Sequence, residues 1–174
     1  TPLDGDWANE QIYAGEVDSF EEAGRLARRF EVGRIVMDAL PETRKAREFQ
    51  ASFAPGLVWL AYYQDDTKWT NRANWNQAEG VVTLDRTRIF DEVYSRFHEG
   101  KALLPANARD IKNYYSHLKA PVRVMVESKN GAQVARYLES SADHLAHAEL
   151  YCHAALFAPI IKSVTVSRSV QVNL

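Results

Sequence analysis

The sequence predicts an α/β fold in which parallel strands alternate with helices. Three apolar runs of strand length, at residues 34–37, 57–63 and 80–84, are separated by helical patterns. Strands and helices that alternate at this spacing are typical of parallel βαβ units, because a crossover helix connects two parallel strands. A chain of 174 residues suits one domain with a hydrophobic core. We expect residues 1–159 to form that domain and residues 160–174 to form a tail, either an edge strand or a linker.

The first half of the chain is predicted to contain two strand–helix pairs. Residues 11–17 are typical of a strand. Residues 18–31 follow with a polar capping residue, acids in the first turn and apolar residues at helical spacing. The buried strand at residues 34–37 is followed by a helix from Pro41 to about residue 53, since proline favours the first helical turn.

The second half of the chain has weaker patterns and one clear hairpin. The hairpin is indicated by Asn130-Gly131, because both residue types accept positive φ angles. After the last helix, alternating valines favour an edge strand in the tail. The predicted elements are a strand at 57–63, a polar loop at 64–76, a strand at 80–84, a helix at 85–99, an extended segment at 101–104, a helix at 108–119, hairpin strands at 122–127 and 132–138, and a helix at 140–157.

The composition excludes several function classes. A net charge of −2 means that any site for a polyanion is a local patch. A single cysteine excludes a disulfide framework and a cysteine-rich zinc site, and no uncharged apolar run approaches the ~20 residues of a membrane span. The first residues lack the features of a signal peptide, so we expect an intracellular protein that is not secreted and has no membrane partner. Because the sequence starts at Thr1, we also expect it to be a piece of a longer protein.

Asp38 is the first candidate site residue. It directly follows the apolar run at residues 34–37, and a basic helix comes after it. Open α/β sheets hold their active sites at the carboxyl ends of parallel strands, and cations beside such an acid favour phosphate chemistry. The alternative is a turn aspartate whose side chain bonds nearby backbone amides.

Asp143 and His147 form the second candidate site. They are four residues apart, so a helix places them on one face. A carboxylate and an imidazole one turn apart can both ligate a divalent metal, or the imidazole can orient a water on that metal. The alternative is that Asp143 forms a capping box with Ser140 at the start of the helix.

Four groups of cations are candidate DNA contacts. Lysine and arginine bind a phosphate backbone whatever its sequence, and tryptophans interleaved with cations suit nucleic-acid contact. The alternatives are a solvated helix face, tryptophans that anchor a long loop and, for Arg86, an ion pair beside a helix cap. The candidates are Arg44, Lys45 and Arg47 on the second predicted helix, Lys68 and Arg72 in the polar loop, Arg86 at a helix start and Lys129 at the hairpin tip.

Four segments together resemble the nuclease domain of the large terminase subunits of tailed bacteriophages. The resemblance covers roughly residues 12–158 and depends on the order and spacing of the segments. They are residues 35–47, which include Asp38, residues 58–63, residues 82–88, and residues 143–151, which include Asp143 and His147.

The resemblance implies a ribonuclease H-like fold, a mixed sheet flanked by helices and extended here by a β-hairpin. It implies a nuclease with two Mg²⁺ or Mn²⁺ ions, held by Asp38 and Asp143, with Asp38, Asp143 and His147 as catalytic residues. Family members often have a second acid at the position of His147. The implied activity is cleavage of concatemeric double-stranded DNA during genome packaging in the cytoplasm of an infected bacterium. The implied partners are a terminase ATPase domain, a small terminase subunit and a portal protein.

One feature that the resemblance implies is not evident in the sequence. The first strand of the family's nuclease carries a catalytic acid, whereas residues 1–10 have no apolar strand pattern. We therefore expect the N-terminal strand or strands of the fold to be missing from this chain. The alternatives are a non-catalytic module that docks on DNA or on a portal, and a resolvase-like nuclease on the same fold.

Overall fold

A computed structural model of the chain describes residues 9–64, 71–128 and 130–160. Of the predicted tail, only Ile160 belongs to this part. None of the helices in it has the length and apolar character needed to cross a membrane, and the longest has 13 residues. In chain order the elements are β1 (Asn9–Glu10), α1 (Phe20–Arg29), β2 (Ile35–Asp38), α2 (Thr43–Ala51), β3 (Val58–Gln64), β4 (Ala73–Asn76), β5 (Val81–Asp85), α3 (Arg86–His98), β6 (Ala102–Leu103), α4 (Tyr114–Lys119), β7 (Pro121–Glu127), β8 (Gln133–Glu139) and α5 (His144–Ala155).

A four-stranded mixed sheet lies at the centre of the fold. The strand order is β2-β3-β5-β4, with β2, β3 and β5 parallel to one another and β4 antiparallel to β5. The parallel pairing of β2 with β3 follows from the crossover helix α2 between them. Strands β7 and β8 form the predicted antiparallel hairpin outside this sheet. The expected α/β architecture, a mixed sheet flanked by helices, is confirmed at this level.

Strand β4 lies inside the segment that the sequence predicts to be a polar loop. Its residues, Ala73–Asn76, have little strand propensity apart from Trp75. Trp75 packs edge-to-face on the buried Trp59, with ring centroids 4.9 Å apart, while the backbone pairs with β5. A tertiary contact of one tryptophan therefore stabilises this strand, which local patterns do not reveal.

The strand predicted at residues 11–17 is wrong. The paired residues are Asn9–Glu10, which form β1 parallel to β6, and the last ladder bond is donated by the Gln11 amide to the Leu103 carbonyl at 2.8 Å. Beyond that bond, residues 12–17 pair with no strand in the part of the chain that the structure describes. The apolar residues that suggested a strand instead line a groove, with Ile12 70% exposed.

Three predicted helices begin later than expected. Helix α2 begins at Thr43 with Glu42 as its N-cap, so Pro41 precedes the first turn rather than opening it. Helix α4 begins at Tyr114 rather than near residue 108, because Asn113 has a φ angle of 61°, which no right-handed helix accommodates. Helix α5 begins at His144, because the amide of Ser140 still bonds the Ala120 carbonyl at 3.1 Å and so extends the hairpin. By contrast, α1 has the expected start, where the Ser19 hydroxyl accepts a hydrogen bond from the Glu22 amide at 3.1 Å.

Strand β3 is buried on both faces and separates two parts of the core. Val58 and Leu60 contact the apolar residues of α1 and α2, whereas Trp59 and Ala61 contact those of α3 and α5. This division follows from the alternation of side chains along a strand. The indole of Trp59 is fully buried, and its N–H donates to the Gly56 carbonyl at 3.0 Å.

A groove of about 1070 Å³ lies beside β2, between α1, α5 and the segment at residues 10–20. Among the strands that the structure describes, β2 pairs only with β3, and Ile35 and Met37 of β2 line this groove.

Candidate metal centre

Glu139, Asp143 and His147 gather at one end of the hairpin, and we call them the acid–histidine cluster. One carboxylate or imidazole atom from each lies within 4.8 Å of the others. Glu139 is the last residue of β8, paired with Pro121 of β7. Asp143 precedes α5, and its carbonyl accepts the amides of Ala146 and His147 at 2.8 and 3.1 Å, which starts the helix.

The side chain of Asp143 is directed into the cluster rather than used as a cap. It occupies the N-cap position of α5 but accepts no capping hydrogen bond, so the capping-box alternative is wrong. The residue is only 6% exposed. Its Oδ2 atom lies 3.1 Å from Nε2 of His147, yet this oxygen has no hydrogen-bond partner among the described residues. A buried carboxylate oxygen without a donor is costly, so a cation is the natural complement.

The imidazole of His147 is held in its neutral form. Burial lowers the pKa of His147 below its usual value, and repulsion from Arg86 adds to this effect, against the attraction of Asp143. The hydroxyl of Tyr63 is hydrogen-bonded to Nδ1 of His147 at 2.6 Å, which leaves Nε2 on the side of Asp143. A neutral imidazole with one nitrogen bonded to the protein is the usual state of a histidine ligand.

Arg86 lies at the edge of the cluster and contacts one of its acids. Its Nη2 atom donates to Oε1 of Glu139 at 2.9 Å. The guanidinium also lies 5.7 and 6.0 Å from the ring centroids of Tyr63 and Phe90. The predicted helix cap is confirmed in Asp85, which accepts the Arg88 amide at 3.0 Å, but the ion pair of Arg86 is with Glu139.

Asp38 does not join the acid–histidine cluster. Its Oδ1 atom accepts a hydrogen bond from the Leu40 amide at 2.9 Å. This is the contact expected of a turn aspartate, the alternative role given to Asp38 in the sequence analysis. Its Oδ2 atom accepts the hydroxyl of Tyr151 at 3.0 Å. Tyr151 stacks on Tyr63, with ring centroids 5.8 Å apart, so two tyrosines separate Asp38 from His147.

Each of the three basic residues of α2 contacts an acceptor within the protein. Two other predicted DNA contacts, Lys68 and Lys129, lie outside the described residues. Arg44, although its side chain is 83% exposed, pairs with Glu48, and such exposed pairs contribute little to stability. These cations therefore stay accessible to a polyanion. The remaining pairs are Lys45 with Glu42, Arg47 with Gln50 and the Glu79 carbonyl, and Arg72 with Glu92 and the ring of Phe157.

Sequence reasoning missed three residues of this site. Glu139 has a sequence signal, since it precedes Asp143 by four residues as Asp143 precedes His147. Tyr63 and Tyr151 have none, because aromatic residues in a strand and a helix are ordinary core residues.

Comparisons with known proteins do not place the chain in a family. No family model, no curated protein and no solved structure matches it. A function is therefore inferred from the geometry of the site and from the sequence segments.

Proposed function

We propose that the protein is a metal-dependent endonuclease that hydrolyses phosphodiester bonds of double-stranded DNA. The observation that carries the proposal is the buried, unpaired Oδ2 of Asp143, which faces Nε2 of a neutral His147 beside Glu139. Two carboxylates and an imidazole form a donor set for a divalent transition metal. Mn²⁺ fits this set better than Mg²⁺, which prefers oxygen ligands alone.

The resemblance to terminase nuclease domains supplies the wider proposal. We propose a ribonuclease H-like fold and a role in cutting concatemeric DNA during phage genome packaging in the host cytoplasm. The proposed partners are the terminase ATPase domain, the small subunit and the portal. A second ion, which that resemblance implies, would need Asp38 and an acid from a further strand, and β2 is an edge strand of the sheet that the structure describes.

The residues of the site have distinct tasks in this reaction. A bound divalent ion would stabilise the negative charge that develops on the phosphate and would favour ionisation of the attacking water. Asp143 and Glu139 supply negative charge that holds the ion, and His147 supplies a neutral donor. Arg86 is placed to contact a phosphate next to the cluster, and the exposed Arg44 adds a contact with the DNA backbone. Backbone contacts carry no sequence information and weaken with salt.

Cleavage of supercoiled plasmid in Mn²⁺, Mg²⁺ and EDTA tests the proposal. We expect nicking with Mn²⁺ that is abolished by EDTA and by Asp143→Asn or Glu139→Gln. Glu127→Gln is the matched control, since Glu127 is an exposed acid at the opposite end of the same hairpin. Full activity of the Asp143→Asn variant would refute the site.

The second candidate is a non-catalytic module that docks on DNA or on a portal. The pairing of Glu139 with Arg86 and of Asp38 with Tyr151 favours it, since both acids then have partners without a metal. DNA retardation in gels that contain EDTA, without cleavage in Mn²⁺, would support this candidate. Preference for branched over linear DNA in a cleavage assay would instead indicate a resolvase-like enzyme.

A further inference from the structure

The groove beside β2 has the size and the lining of a small-molecule binding site. Its volume of about 1070 Å³ is at the upper end for such sites, and most of the residues that line it are apolar. They come from one face of α1, from one face of α5 and from β2. Examples are Leu26 and Phe30 of α1, Ala148 and Cys152 of α5, and Met37 of β2.

Many of the apolar residues around this groove remain accessible to solvent. Only Gly24 is buried among the residues of α1, although this helix has apolar residues at the spacing of a core-facing helix. Tyr13, Val17 and Phe30 line the groove and are exposed, as is Ile12. Large contiguous apolar surfaces on a folded protein are commonly ligand or interaction sites. The lining of the groove therefore suits an apolar occupant.

A buried acid lies in the groove wall and is bonded to two uncharged side chains. The hydroxyl of Tyr114 donates to Oε1 of Glu149 at 2.9 Å, and the side-chain amide of Gln11 donates to the same oxygen. Neither partner carries a positive charge. Burial raises the pKa of Glu149, as expected for a carboxylate that has lost water and is bonded to neutral donors. A cation next to Glu149 would be stabilised by this carboxylate.

The charged side chains of the groove are mostly acidic. Among the described residues, the lining includes four acids and one cation, and that cation, Lys45, is paired with Glu42 at 2.8 Å. The other three acids are Glu10, Asp18 and Glu149. Glu10 and Glu149 also line a second cavity of about 130 Å³, so these two acids lie on the same side of the groove. An excess of acids attracts a cation and repels an anion.

We propose that the groove binds a small apolar molecule with one cationic amine, whose alkyl part contacts α1 and α5 and whose ammonium group pairs with Glu149. Burial of the alkyl part supplies affinity, and the acid discriminates between cationic and anionic head groups. The inference goes beyond the proposed nuclease activity, because no residue of the acid–histidine cluster lines the groove.

Decylammonium, decanol and decanoate test the requirement for charge, because they share an alkyl chain and differ in the head group. Isothermal titration of the full chain, at concentrations at which no micelles form, measures their affinities. We expect decylammonium to bind about tenfold more tightly than decanol, since a hydrogen bond to a charged group contributes more than a neutral one, and decanoate to bind more weakly than decanol. Equal affinities of the three, or tighter binding of decanoate, would overturn the proposal.

Two substitutions test the two parts of the site. Glu149→Gln retains an oxygen that accepts from Tyr114, and it should lower the affinity for decylammonium about tenfold while that for decanol stays unchanged. Ala148 is exposed and lines the groove, so Ala148→Trp should fill the groove and weaken the binding of both compounds. Glu48→Gln is the matched control, because Glu48 is an exposed acid of α2 that does not line the groove, and its affinities should equal those of the wild type. Wild-type binding of decylammonium in Glu149→Gln or in Ala148→Trp would overturn the site.

The reactivity of Cys152 reports occupancy of the groove independently. Cys152 is the one cysteine of the chain and lines the groove, so bound decylammonium should slow its reaction with iodoacetamide. The rate should fall over the same concentrations as the titration shows, and an unchanged rate at saturation would place the binding elsewhere and overturn the proposal. A synthetic peptide of residues 161–174 is the competitor. If it displaces decylammonium and binds more tightly, the occupant is a segment of this chain, and the small-molecule proposal is wrong.

Discussion

Replacing Arg86 by glutamine should tighten metal binding and weaken DNA binding at the same time. In the structure, Arg86 donates to Oε1 of Glu139, a residue of the acid–histidine cluster. A divalent ion held by the Glu139 carboxylate would therefore lie close to the guanidinium and be repelled by it. Glutamine removes the charge, and Glu139 is not left buried without a partner, because its side chain is 53% exposed.

The size of the effect follows from Coulomb's law. Two unit charges about 4 Å apart repel by about 1 kcal/mol in water and about 4 kcal/mol near a protein surface, and an ion of charge +2 doubles both values. The side chain of Arg86 is 21% exposed and its partner Glu139 is 53% exposed, so water screens the repulsion and we use the lower limit. A repulsion of about 2 kcal/mol corresponds to Mn²⁺ affinity roughly 10–30-fold higher in Arg86→Gln.

Isothermal titration with Mn²⁺ measures the first effect, and DNA binding at several salt concentrations measures the second. If Arg86 contacts one phosphate, the slope of log affinity against log salt should fall by about one unit. Arg123→Gln is the control, because Arg123 forms a comparable pair with Asp91, an acid outside the cluster, at 2.9 Å. Unchanged or weaker Mn²⁺ binding in Arg86→Gln would refute the placement of the ion beside Glu139.

Two further predictions concern stability. Leu150→Ala should lower the free energy of unfolding by about 2–5 kcal/mol in urea, because Leu150 is fully buried, whereas Leu138→Ala, at a residue that is 51% exposed, should change it by less than about 0.5 kcal/mol. Equal losses would contradict the assignment of the core. Burial raises the pKa of Glu149, so the folded state binds this proton more strongly than the unfolded state and loses stability as pH rises through the two pKa values. Glu149→Gln should therefore raise the thermal midpoint at neutral pH and not in acid, and a gain that is independent of pH would refute this.

Local patterns in the sequence determined most of the helices and strands. The apolar runs at β2, β3 and β5, the cap of α1 and the Asn-Gly hairpin were predicted because strand and helix periods and turn preferences involve residues close in the chain. The proximity of Asp143 and His147 was predictable for the same reason, since one helical turn brings them together.

Only the tertiary structure decided which side chains surround those two residues. Glu139 joins them because the hairpin ends beside the start of α5, and β4 exists because Trp75 packs on Trp59. The pattern at β2 and the basic helix indicated an acid in a functional position. The packing of α5 against the sheet determines that Tyr151 and Tyr63 lie between Asp38 and His147. Such contacts join residues far apart in the chain, and no local period of the sequence records them.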